Sequence, residues 1–405
     1  MAVFGVSLSP LDREGTHVST SYGFLSTYPP TQCGLATFTS ALVSSLRSPR
    51  DVVGIVDVVD VASSRRPAEV RHQWVRGQRG GAESAAARLN GFDIVLVQHE
   101  YGIFGGPDGQ DVLDVVRAVT RPVITVLHTV LNTPTLRQKA ILDELILLSD
   151  TVVTMTLTAK ERLVHRYLVD GAKVMVIPHG AIDTRVGDQA SARLSGGRTA
   201  ARAAGEGPIV LTWGLLGEGK GIEWGISAMA QLRDIHPAPR YHVVGQTHPK
   251  VLERDGEAYR HGLEARAREL GVDDVVTFDA RYLATGELGR LVQEADVILL
   301  PYDSREQVTS GVLVEAVTAG KPVVSTGFPH AVELLSSGAG LLVERQNPAA
   351  IAAALRRVLT EPGLAGSLAA EADRLSPALL WSAVAQQYRD LASSALDTES
   401  DRVSA

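Results

Sequence analysis

The chain predicts an α/β fold of two Rossmann-like domains facing each other across a cleft. Three observations carry that prediction. Its 405 residues exceed one ordinary core, so two domains are expected. Short β-branched strands alternate with helical stretches in the first half, and the alternation restarts at Ile209 after a stretch rich in Ala, Gly, Arg and Ser. Two polar turns in the second half each follow an apolar strand directly, where open α/β sheets bind ligands.

In the first half, Val52–Val59, Ile94–Gln98, Val123–Leu127, Thr151–Met155 and Val174–Ile177 read as strands, because β-branched residues dominate them. Leu35–Leu46, Val112–Val119 and Leu136–Leu148 read as helices. Such alternation implies a parallel sheet covered by helices. Pro178 to Asp183 ends this half, and Thr184 to Gly207 is the expected linker. Strands follow at Ile209–Trp213, Tyr241–Val244, Val275–Phe278, Val297–Leu300, Pro322–Ser325 and Gly340–Val343. Helices fall between them, including Trp224–Asp234, Tyr259–Leu270 and Ala349–Leu359. Leu379–Ala392 is a last amphipathic helix, and Asp397–Ala405 is expected to be a disordered tail. The expected domains are residues 1–185 and 208–375, joined by a linker at 186–207 and followed by a helix at 376–395 and a tail at 396–405.

Apolar residues at 45% and charged residues at 21% fit a soluble globular protein. A net charge of -7 argues against nucleic acid as a main partner. One cysteine, Cys33, excludes an internal disulfide and fits a reducing, cytoplasmic setting. Met1 to Thr16 shows no basic start followed by an apolar core, and the longest apolar runs are strand-sized. The basic stretch from Arg65 to Arg79 is interrupted by Glu69 and reads as a solvated surface, so peripheral contact with anionic lipid is the most expected of a membrane. His99, His128, His179 and His248 lack the close spacing of a zinc site, and no Asp-x-Asp stands at a strand end. Neither a metal nor a cofactor is expected.

The chemistry gathers around two segments. After Val297–Leu300 a polar turn leads to a helix opening near Thr309 or Ser310, whose free N–H groups make an anion site. Glu315 lies on that helix among Val312, Leu313, Val314, Ala316, Val317 and Ala319. A carboxylate there is costly unless something hydrogen-bonds it, and sugar hydroxyls beside a helix-bound phosphate would do so. After Ile209–Trp213, Gly214, Gly217, Gly219 and Gly221 surround Lys220. That turn suits close approach to phosphate with Lys220 as a point charge; the bland alternative is a tight turn with a solvated lysine. Gly245, after the next strand, also fits close backbone approach. His128 ends an apolar strand, either packed or facing the cleft. The loop His99 to Gly106 is polar, aromatic and Gly-rich, fit for stacking on a sugar or for a structural turn.

Together these segments resemble the donor half of the family 4 retaining glycosyltransferases, which have the two-lobed GT-B fold. Gly214, Leu216, Lys220, Gly221, Glu315, Gly320, Pro322, Val323 and Val324 match the family signature. Tyr28 to Gly34 resembles the family's first loop, Asp93 to Glu100 the strand before an acceptor-side loop, Val123 to Thr129 the strand whose terminal histidine faces the cleft, and Pro178 to Asp183 the hinge. Three positions depart: Gln307 stands where the family has its first glutamate, Leu215 where it has an arginine, and His179 where it has asparagine. Arg281 and Arg305 are the candidates to replace the lost cation.

The resemblance implies transfer of a hexose, mannose or glucose, from a nucleotide sugar to a carbohydrate or glycoconjugate hydroxyl, with retained configuration. GDP-mannose and UDP-glucose are the donors it implies. It assigns the ribose hydroxyls to Glu315, the diphosphate to Lys220 and the amides at Ser310 and Gly311, and close loop approach to Gly34. Gly214 and Glu306 complete the donor set. His128, beside the transferred sugar, with Gln307 and Lys220 forms the catalytic set; His99, Glu100 and Tyr101 form the acceptor side. The C-terminal helix is implied to cross back to the first domain. Two alternatives stay open on these residues. One is a glycoside phosphorylase using inorganic phosphate on the same fold; the other is a non-catalytic nucleotide-sugar binder.

Overall fold

The computed structural model describes residues 19–49, 51–185 and 206–404. The expected linker lies almost wholly outside the described residues, as does Met1 to Thr16. The first sheet contains β1 (Ser21–Ser26), β2 (Val52–Val59), β3 (Val70–Val75), β4 (Ile94–His99), β5 (Val123–Leu127), β6 (Thr151–Thr154) and β7 (Val174–Val176). Its order is β3-β2-β1-β4-β5-β6-β7, and every pairing is parallel. The helices are α1 (Gly34–Leu46), α2 (Gly81–Leu89), α3 (Val112–Ala118), α4 (Leu136–Leu148) and α5 (Leu157–Arg166).

The second sheet contains β8 (Ile209–Trp213), β9 (Arg240–Val244), β10 (Val276–Asp279), β11 (Val297–Leu300), β12 (Val323–Thr326) and β13 (Gly340–Val343), ordered β10-β9-β8-β11-β12-β13 and again parallel. Around it lie α6 (Ile222–Met229), α7 (Pro249–Asp255), α8 (Ala258–Glu269), α9 (Thr285–Glu294), α10 (Gly311–Thr318), α11 (Pro329–Leu335), α12 (Pro348–Thr360) and α13 (Leu364–Leu379). Strand order reverses between β1 and β4 and between β8 and β11. At such switch points neighbouring loops diverge and leave a crevice. The turn bearing Lys220 follows β8, and the turn leading to Ser310 follows β11.

Two strands escape the sequence pattern. β1, Ser-Tyr-Gly-Phe-Leu-Ser, is diluted by small polar residues. Its Gly23 is required by packing, since a Cβ there would sit 2.7 Å from the Phe92 ring. β3 is an edge strand in which only Val70 and Trp74 are buried, so it lacks a continuous apolar run.

The last helix, α14 (Trp381–Ser404), corrects the expected tail: its backbone stays helical well beyond Asp397. Val384, Ala385, Tyr388 and Ala392 bury in the first domain's core beside α1, and helix propagation from that anchored segment costs little per residue. Trp381 packs edge-on against Phe38, ring centroids 5.1 Å apart, and covers Gly180, where a Cβ would meet its ring at 2.3 Å. The chain therefore passes between the domains twice. The two crossings are bonded to each other: Ala181 N–H donates to Leu379 O at 2.8 Å and Trp381 N–H to Ala181 O at 3.0 Å.

The turns of the second switch point depend on glycine. Gly221 has φ 61°, and a Cβ would stand 1.9 Å from the Pro301 carbonyl oxygen. Gly245 has φ 135°, with a Cβ 1.9 Å from the Gly214 oxygen. Gly219, at φ 83°, has open space around it. Gly221→Ala and Gly245→Ala should each cost roughly 2 kcal/mol or more, and Gly219→Ala only about 1 kcal/mol of backbone strain. Thermal melting of the three variants checks this: the first two should melt several degrees below the third.

Candidate active site

Lys220 Nζ stands over the Tyr302 ring, 4.2 Å from its centroid. No carboxylate pairs with it among the described residues. Burial alone depresses its pKa to about 8. On the loop that carries Tyr302, Asp303 Oδ1 and Thr309 Oγ1 are buried without hydrogen-bond partners, while the Tyr302 hydroxyl has the Ser310 side chain within reach. Buried polar atoms are rarely left in this state, so the two on this loop make it a candidate place for a ligand. Glu315 is one turn along α10. The Trp213 indole donates to its Oε2 at 3.1 Å. Burial pushes the Glu315 carboxyl up to about 7, with that single indole bond opposing. Gly214, at φ 122°, lies beside Val312 and leaves the wall open.

Ser310 caps α10 by accepting the Leu313 N–H at 3.3 Å. Its own N–H is not available as expected: it donates to His330 Nδ1 at 2.8 Å. Gly311 and Val312 are left to present first-turn N–H groups. The His179 ring lies against Gly311, where a Cβ would be 2.9 Å from its Cε1 and Nε2, so no other residue fits at 311 without displacing it.

Glu306 departs most from expectation. The donor set gives it to the ligand, but its Oε2 accepts the Asn132 N–H at 2.7 Å and an Arg162 N–H at 2.9 Å, both from the first domain. Standing one residue before Gln307, it is engaged by the first domain. Gln307 Nε2 donates to Thr309 O at 3.1 Å, an intraloop bond. Gly34 opens α1 at the exposed mouth of the first domain, capped by Cys33, whose Sγ accepts the Ala36 N–H.

His128 stands at the end of β5, its Nε2 2.8 Å from Gln98 Oε1 and its ring edge-on to Phe38 at 4.8 Å. An amide oxygen only accepts, so Nε2 carries the proton. Burial, then the nearby His179 and His99, hold its pKa down to about 3, leaving it neutral. His179 and His330 are likewise pressed down by burial, to about 4 and about 3. The acceptor-side trio is split. His99 is fully buried, stacked on Phe104 with neither ring nitrogen bonded. Tyr101 is 8% exposed and its hydroxyl donates to Gln138 O. Neither offers a stacking face; inward packing at the end of β4 removes them. Glu100 stays partly exposed, accepting from the Thr129 hydroxyl and the Gly102 N–H.

Arg281 does not replace the missing cation, since Asp279 and Glu287 both bind it. Arg305 is exposed. Sequence reasoning missed Trp213, Tyr302, His330 and Arg162. The first two sit inside the quoted motifs, and their aromaticity beside Lys220 and Glu315 was the available signal. His330 and Arg162 become visible only in three dimensions.

Two parallel α/β sheets, with paired switch-point loops opening on a cleft, define the GT-B architecture. Residues 207–361 match the family of glycosyl transferases group 1. The D-inositol 3-phosphate glycosyltransferase of Stackebrandtia nassauensis is 30% identical over 249 residues, 59% of this chain and 53% of its own. That of Acidothermus cellulolyticus is 32% identical over 226 residues, 54% and 48% respectively. The chain thus spans about half the length of the curated relatives it matches. Among solved structures, Anabaena HepE in complex with UDP and glucose superposes with a TM-score of 0.68 at 18% identity, covering 93% of this chain and 100% of that one. Sucrose-phosphate synthase from Thermosynechococcus elongatus gives 0.69 at 20% identity, covering 92% and 98%. No helix among the described residues is long and apolar enough to cross a membrane.

Anion binding here should depend on pH in one direction. A bound anion favours the Lys220 ammonium, while the free protein loses that proton as pH rises through about 8. Affinity for a nucleoside diphosphate should fall above that pH, approaching about tenfold per unit. Calorimetric titration at pH 7, 8 and 9 checks this, and Lys220→Met should remove the break near pH 8.

Proposed function

We propose that the protein is a retaining hexosyltransferase that moves glucose or mannose from a nucleotide sugar to a carbohydrate or glycoconjugate hydroxyl. One observation carries the reading: Lys220, without a carboxylate partner, faces a loop of unsatisfied polar atoms leading to the N-terminus of α10. That is a preformed site for a leaving diphosphate. Charge on the leaving group grows in the transition state, and fixed dipoles and a cation in a half-buried site stabilise it most at that moment. Lys220 supplies the cation; the Gly311 and Val312 N–H groups supply the dipoles. Glu315 takes the ribose hydroxyls, which give its costly carboxylate the partners it lacks. A cavity of about 590 Å³, with Val244 and Phe278 on its wall beside the charged Asp279, Arg281, Glu287 and Glu294, is the place assigned to the base.

UDP-glucose is the first donor to test, because HepE was solved with UDP-glucose; GDP-mannose is the second. The acceptor enters from the first domain near Glu100 and His128. Gln307 is an amide and cannot be the nucleophile of a double displacement, so retention proceeds by same-face attack with closure excluding water. No glycosyl-enzyme should be trapped by mass spectrometry when donor is supplied without acceptor; a stable adduct on the chain would refute same-face attack.

A thermal-shift panel of UDP, GDP, ADP, inorganic phosphate and sugar 1-phosphates tests the reading. A ligand at a hundredfold over its dissociation constant adds roughly 2.7 kcal/mol to the folded state. One nucleoside diphosphate should stabilise the protein, and Lys220→Ala should abolish most of that shift. A shift with phosphate or sugar phosphate alone would instead favour the phosphorylase, and nucleotide-sugar binding without turnover the non-catalytic binder.

A further inference from the structure

The loop from Pro301 to Ser310 belongs to the second sheet but is held by the first domain. Val308 is 2% exposed and packs in the cluster of Leu127, Val130, Leu163 and Tyr167, all from the first domain. Two residues earlier, Glu306 is held by Arg162 on α5. A single guanidinium nitrogen, Nη1, donates to Glu306 Oε2 at 2.9 Å, Glu306 O at 3.1 Å and Val130 O at 2.7 Å. The Arg162 side chain is 11% and the Glu306 side chain 36% exposed, so the pair is screened by solvent on the glutamate side only.

The same helix is gripped at its N-terminus as well. Glu333, on α11, accepts the Leu157 and Thr158 N–H groups at 2.7 and 2.9 Å, and the Thr158 hydroxyl at 2.8 Å. A carboxylate at a helix N-terminus is favourably placed. α11 also carries His330, which holds the Ser310 N–H. So both supports of the anion-binding end of α10, the loop before it and the histidine beside it, are bonded through a carboxylate to α5. Separating the domains breaks both.

We propose that Arg162 is a positioning residue: through Glu306 it keeps the domains closed and holds the loop in its ligand-binding form, so that closure and donor binding are one equilibrium. This rests on the nucleotide-sugar reading for its ligand, but the latch itself does not. The position of the carboxylate is what builds it. At 307 a glutamate would carry its charge toward the site; at 306 it carries it to the other domain.

The test uses the full chain with Arg162→Ala, Arg162→Lys, Glu306→Ala and the Arg162→Ala/Glu306→Ala double variant. Calorimetry with UDP and GDP at 20 °C, well below melting, should show each alanine variant binding about tenfold more weakly than wild type. The double variant should be no weaker than either alone, because both break one bond. Arg162→Lys should recover much of the loss, since one nitrogen makes all three contacts. Small-angle scattering of the free protein should give a larger radius of gyration for Arg162→Ala. Lower melting temperatures with wild-type nucleotide affinity would reduce the pair to a structural role and overturn the proposal, as would additive losses in the double variant. If wild type binds neither nucleotide, the nucleotide-sugar reading fails by itself, and scattering alone then decides the latch: an unchanged radius overturns it.

Discussion

A cation kept without a counter-charge in a half-buried place is the condition around which the second domain is organised. A carboxylate beside Lys220 would relieve the cost of burying it, and would also fill the site. In place of one, the aromatic face of Tyr302 lies under the ammonium, a weaker attraction that leaves the outward side free. The turn holding Lys220 in position is only possible with glycine, because it crosses the loop after β11 at backbone contact. Glu315, the buried carboxylate of α10, is bonded by Trp213 and not by Lys220. Lys220 and Glu315 are thus each left short of partners, as the proposed nucleotide-sugar ligand would require.

The same economy of charge explains the histidines. His128, His179 and His330 are all held neutral, first of all by burial. Neutral imidazoles can donate and accept hydrogen bonds without competing with Lys220 for an anion. Their neutrality also lets them stand close to one another across the domain boundary, where three imidazolium ions would repel.

Much of this was legible in the chain. The apolar strands announce the sheets, Gly214 to Gly221 the tight turn after β8 and Ser310 the start of α10, because glycine and helix capping are local chemistry. What was lost is non-local. Glu306 reads as a ligand residue from its place beside Gln307, and only the packing of α5 turns it into an interdomain contact. Ser310 reads as an amide donor, yet His330, twenty residues on, takes its N–H. His99 and Tyr101 read as a sugar platform since sequence shows polarity, not direction. β1 was hidden because a neighbouring ring, Phe92, dictates its glycine. The long final helix was underestimated because its last turns inherit their helicity from a segment anchored on another domain.

The paired crossings at Ala181 and Trp381 give the molecule its mechanics. One covalent connection would let the lobes swivel, twist and splay; two strands running side by side and bonded to each other resist torsion as a ribbon does. What remains soft is bending across the ribbon. The lobes are therefore restricted to something close to a single degree of freedom, like a book with a sewn spine. Every bond across the fore-edge, Glu306 and Glu333 included, is made or broken along that one coordinate.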